Sequence, residues 1–156
     1  MSTAHPDFQH LANHSLSDAD LLERLRANPP EAVKTLNGEM IGIDSQLGTA
    51  RFQFEVVPAF CHSQGRICQG GFLTGMVDTA MANAAIAKGK LAVAVPTLEL
   101  KISFFEPMGP GIVFAEGRVM RWGGSVGFLD GDIKDEKGRL IVHATSTIKI
   151  VRPKKA

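Results

Sequence analysis

Hydrophobic positions recur along this chain with two different periods, and the change falls near residue 90. From Gly70 to Ala87 the spacing is helical. Phe72, Met76, Ala80 and Asn83 fall on one side, with Leu73, Val77 and Ile86 beside them. Gly71, Gly75, Asp78 and Ala82 fall on the other side, a stripe of small residues that holds the run's single charge. Lys88 and Gly89 supply a basic last turn and a C-terminal cap. After Lys90 the period becomes two. Leu98, Leu100, Ile102 and Phe104 alternate with polar partners, and strands are predicted over residues 112–121, 126–134 and 140–150. Upstream, Ser17 and Asp20 form a capping box for a helix that Asn28-Pro29-Pro30 stops. A helical turn over 31–36 and the Asn37-Gly38 turn follow, then strands over 40–43 and 48–57.

The predicted order is a helix, two strands, one long helix and four strands. Its connections are short enough to demand antiparallel neighbours. The class is α+β, with a long central helix wrapped by a curved antiparallel sheet of about six strands and preceded by an N-terminal helix. Residues 1–16 read as a polar, flexible tail and residues 17–156 as a single domain. One sheet covers one side of the central helix. Its small-residue face is expected to pair with a second copy, giving a homodimer or homotetramer.

Composition narrows the function classes. Seventeen basic against sixteen acidic residues leave a net charge of +1, so no bulk field favours nucleic acid or membrane as a partner. The Gly70–Ala87 run is too short for a bilayer span, and its lone acid and paired glycines do not suit lipid. The first residues lack an apolar core and a basic segment, so no secretory signal is expected. Cys61 and Cys68 make no disulfide framework and fit a reducing cytoplasm. His5, His10 and His14 have irregular spacing without acid or thiolate partners, which reads as tail rather than metal site.

Chemistry concentrates on the long helix. A buried Asp needs partners or a raised pKa, and Asp78 sits where another backbone or a ligand can approach. The Gly70-Gly71 start leaves free N–H groups at a positive dipole end, suited to an oxyanion. Together they describe an acyl-transfer site. Other groups read less sharply. Cys68 precedes the helix, where a dipole lowers a thiol pKa, but a half-buried loop cysteine is the plainer reading. Cys61, His62 and Cys68 match no zinc ligand spacing, and no metal is expected. His143 reads as a strand surface residue, and Trp122 either stacks on a ligand's adenine or caps the sheet edge.

Three segments resemble the hotdog-fold acyl-CoA thioesterases of the PaaI, or phenylacetate-degradation, type. They are QGGFLTGMVDTAMA, TLELKISFFEPMGPG and the hairpin ending GRLIVHATST, and the resemblance runs roughly from Leu36 to Val151. It implies hydrolysis of an acyl-CoA thioester, with Asp78 as general base or nucleophile. It further implies that the Gly70 N–H meets the carbonyl oxygen, that Gln69 orients that carbonyl, and that Thr97 helps hold the attacking water. Gly71 and Phe72 fall among the substrate contacts. The chain departs from the family pattern twice. HSQGRICQGG carries one residue more than usual before Gln69, so His62 or Ser63 stands where the family has Asn. The turn Trp122-Gly123-Gly124-Ser125 lacks the basic residue many members place there for coenzyme A. No cofactor is implied, since coenzyme A belongs to the substrate.

Phe60, Phe72, Met76, Phe104 and Phe105 offer an apolar lining suited to an aryl or medium-chain acyl group. Two rival readings use the same fold. One is a hydratase or dehydratase acting on acyl-CoA, which would pair the acid with a nearby His. The other is a non-catalytic acyl-CoA-binding module.

Overall fold

The computed structural model describes residues 16–91 and 93–152. His5, His10 and His14 lie outside the described residues. Helix α1 (Asp18–Ala27) starts at the expected capping box: Ser17 Oγ accepts from the Asp20 N–H at 3.2 Å, and Asp20 Oδ2 accepts from the Ser17 N–H at 3.3 Å. Leu21 is buried, with Leu22 and Leu25 packed against the core beside it. After the prolines come α2 (Glu31–Thr35), β1 (Gly38–Asp44) and β2 (Thr49–Val56). A two-stranded ribbon, β3 (Cys61–His62) and β4 (Ile67–Cys68), leads into the central helix α3 (Gly70–Lys88). The chain closes with β5 (Thr97–Phe104), β6 (Gly111–Trp122), β7 (Val126–Asp135) and β8 (Leu140–Lys149).

The six long strands form one antiparallel sheet in the order β1-β2-β6-β7-β8-β5. One sequence expectation is corrected. The short Pro107–Gly111 connection suggested that β5 and β6 are neighbours, yet β7 and β8 lie between them. Residues 105–110 span about three strand spacings of ~4.8 Å, within the ~20 Å that six extended residues reach. The segment follows β8 briefly, where the Phe105 N–H donates to Ile141 O at 2.9 Å, and Pro107 and Pro110 then deny it hairpin pairing.

Helix α3 lies against the sheet because the sheet is hollowed beneath it. Ala50, Gly117, Gly131 and Ala144 stand side by side on β2, β6, β7 and β8, each in register with the next. A Cβ on Gly117 would sit 2.3 Å from the Ala80 carbonyl oxygen, and one on Gly131 would sit 2.8 Å from Met81 Cγ. Above this trough Leu73, Met76, Val77, Ala80, Met81, Ala84, Ala85 and Ala87 are buried. Phe72, Asn83 and Ile86, assigned to or beside the buried side from spacing alone, are half-buried at its margin.

Candidate active site

Residues Gln69 to Phe72 open α3, and the residue types explain the geometry. Gln69 is extended and caps the helix, its Oε1 accepting from the Gly71 N–H at 2.7 Å. Gly71 therefore does not present a free amide, and Gly70 remains as the first donor of the helix. Phe104, the last residue of β5, lies against Gly70: a Cβ there would be 2.9 Å from Phe104 Cζ. Phe72 stacks on Phe60 with ring centroids 4.4 Å apart. Met76, expected to line a pocket, is fully buried in the core, since α3 turns that position toward the sheet.

Asp78 lies two turns further along at the edge of the buried face. Its Oδ1 accepts a hydrogen bond from Thr97 Oγ1 at 3.1 Å. Burial pushes the Asp78 carboxyl above its ordinary pKa, and the Thr97 bond offsets part of that rise. Thr97 reaches Asp78 because it opposes Ile148, a fully buried residue of β8, and so points to the helix side of the sheet. Of the small-residue stripe, Gly75 is not open: Leu36 lies over it, 3.4 Å from where its Cβ would be.

Along the helix, eight residues at about 1.5 Å each separate Gly70 from Asp78 by roughly 12 Å. A single carbonyl therefore cannot touch both groups of one chain.

The remaining predicted residues occupy two turns. His62 and Ser63, exposed in the β3–β4 hairpin, bond to each other, His62 Nδ1 to Ser63 Oγ at 2.8 Å. Trp122 is half-buried against the core, and Gly123, Gly124 and Ser125 form the β6–β7 turn. Trp122, Gly127, Ile148 and Thr97 stand in one row across β6, β7, β8 and β5, so this turn is about three strand spacings, ~14 Å, from Thr97. Arg152, which the sequence reading did not single out, donates to the Gly124 carbonyl and puts a cation beside the turn. Its place follows from β8 pairing with β7, which no local motif announces.

His143 is far from this chemistry. It faces Asp132 at 2.6 Å in a polar network with Arg118, which also holds Asp130. Burial alone would raise Asp132, but hydrogen bonds from His143 and Arg118 outweigh it and hold the carboxyl below its usual range. Among the described residues no group of three or more His, Cys, Asp or Glu is placed to hold a metal ion, and no helix is long and apolar enough to cross a membrane.

A long helix cradled in a six-stranded antiparallel sheet, with one half-buried acid on it, is the hotdog thioesterase fold. The model of the thioesterase superfamily matches residues 66–142. A phenylacetic acid degradation-related protein from Ralstonia eutropha JMP134 superposes with a TM-score of 0.75 at 28% identity, covering 84% of this chain and 97% of that one. The Escherichia coli PaaI protein of the phenylacetic acid degradation operon shares the fold, with a TM-score of 0.73, 21% identity and coverage of 86% and 91%. A curated Saccharolobus solfataricus protein named as an esterase is 34% identical over 91 residues, 58% of this chain. The match spans 64% of that relative's length.

Proposed function

We propose that this chain hydrolyses acyl-CoA thioesters, with Asp78 as general base or nucleophile. The observation that carries the reading is Asp78 itself: a carboxylate held by Thr97 on a small-residue stripe, in surroundings that push its pKa toward the working range of a base. Thr97 is placed to steady an attacking water at the same carboxylate. The superfamily supports the reaction class, and the Ralstonia and E. coli relatives support an aryl group as one acyl candidate. Arg152 at the Gly124 turn offers a charge for the phosphates of coenzyme A. Neither described histidine stands beside Asp78, which disfavours the hydratase reading: His143 is engaged with Asp132 and His62 with Ser63.

The same reading requires a second copy. The 12 Å between Gly70 and Asp78 leaves the oxyanion donor to come from the partner's helix. Edge strand β5 supports this, with Leu98 at 59%, Phe104 at 49% and its neighbour Phe105 at 57% exposed. The test is thiol release from a panel of acyl-CoA thioesters. Wild type should free coenzyme A, and Asp78→Asn should slow release by at least about a hundredfold. A chain that alters only the acyl group, or releases nothing from any thioester, would overturn the proposal.

A further inference from the structure

Cys61 and Cys68 oppose each other directly across the β3–β4 ribbon. The Gln69 N–H donates to Phe60 O at 2.9 Å, a bond between the residues just outside the pair. Cys61 and Cys68 are therefore a non-hydrogen-bonded antiparallel pair, whose Cα atoms stand about 4.5 Å apart with side chains on one face. That separation lies inside the range a disulfide bridges. Both sulfurs are thiols. Cys61 is half-buried and its thiol faces Val57 O at 3.5 Å, while Cys68 is buried and faces Gln69 O at 3.7 Å. Burial, and after it the neighbouring Cys61 thiol, push Cys68 up to about 11. The ribbon closes through Ser63, Gln64 and Gly65, all at positive φ, so the turn is a tight and defined one.

We propose that Cys61 and Cys68 are an oxidation site, which a hydroperoxide converts to a reversible intrachain disulfide that clamps the ribbon against the start of α3. Cys61, the more accessible sulfur, attacks the peroxide oxygen. The O–O bond breaks, the sulfenic acid of Cys61 forms, and an alcohol or water leaves. Cys68 then attacks the Cys61 sulfur, its proton departs with the hydroxyl as water, and the S–S bond is made. The residues flanking the cystine are Phe60 and Gln69. Phe60 stacks on Phe72 and Gln69 caps α3, so the bond would tie together the parts that seat the helix start.

The experiment treats the reduced full chain with hydrogen peroxide, alkylates it and digests it with trypsin, which cuts after Arg66 between the two cysteines. The expected product is a peptide pair joined through Cys61 and Cys68, lighter by two hydrogens and separated again by dithiothreitol. The thermal midpoint of the oxidised chain should rise by about 5–10 °C for so short a loop. In Cys68→Ser the reaction should stop at the sulfenic acid of Cys61, trapped by dimedone. Two alkylatable thiols after peroxide, cross-linked chains, or sulfinic acid at Cys61 would each overturn the proposal. So would a cystine that leaves the midpoint unchanged. None of these outcomes depends on whether thioesters are hydrolysed.

Discussion

Gly70→Pro removes one hydrogen-bond donor, the N–H proposed to donate to the oxyanion, and the structure predicts that little else changes. Gly70 is the first residue of α3, where proline is favoured because its missing donor has no partner within the helix. Gln69 before it is already extended at φ −67°, ψ 131°, the conformation a following proline demands. The new ring would press on Phe104 Cζ, the far end of a side chain rather than backbone. Folding should survive, while thiol release should fall about 10²–10³-fold, the scale of one lost oxyanion donor. The sharper test mixes this variant with Asp78→Asn after subunit exchange. If each site takes its acid from one chain and its amide from the other, half the dimers are mixed and each has one intact site. Recovery should then approach about a quarter of wild-type activity, as two-fold symmetry requires. A site built within one chain would recover nothing, and so would refute the 12 Å argument. Full activity in Gly70→Pro alone would remove the amide from the mechanism.

Other outcomes follow from the same geometry. Because burial raises the Asp78 pKa, kcat/KM should increase with pH through that raised value. The sign for stability is opposite: the folded chain binds this proton more tightly than the unfolded one, so the contribution present at low pH is lost as pH rises through the folded pKa. Asp78→Asn should therefore raise the thermal midpoint at neutral pH and lose that advantage in acid; a lower midpoint at neutral pH would contradict it. Gly117→Ala puts a methyl against the α3 backbone and should cost about 3 kcal/mol, the upper end for overpacking. Calorimetry should find a midpoint roughly 6–12 °C lower at this chain length. Light scattering should find a dimer or tetramer at micromolar concentration, and Leu98→Glu on the β5 edge should shift it toward monomer; a stable wild-type monomer would sink the composite site.

Period and punctuation alone marked every long element of this protein. The capping box at Ser17, the switch from helical to alternating spacing near residue 90, and the small-residue stripe around Asp78 are local signals, carried by residues within a few positions of one another. The acid and the helix start proposed to serve it were legible for the same reason. Strand order was not. Whether β5 pairs with β6 or with β8 depends on which surfaces bury together across the helix, and a short proline-containing connection permits both. Thr97 reaches Asp78 only through the pairing of Thr97 with Ile148, and Arg152 meets Gly124 only through the pairing of β7 with β8. The fully buried Met76, Leu36 over Gly75 and the facing thiols of Cys61 and Cys68 are likewise decided by packing and register. Periodicity says which side of an element is apolar. The tertiary structure decides what lies against it, because that is a contest among distant segments for the same buried surface.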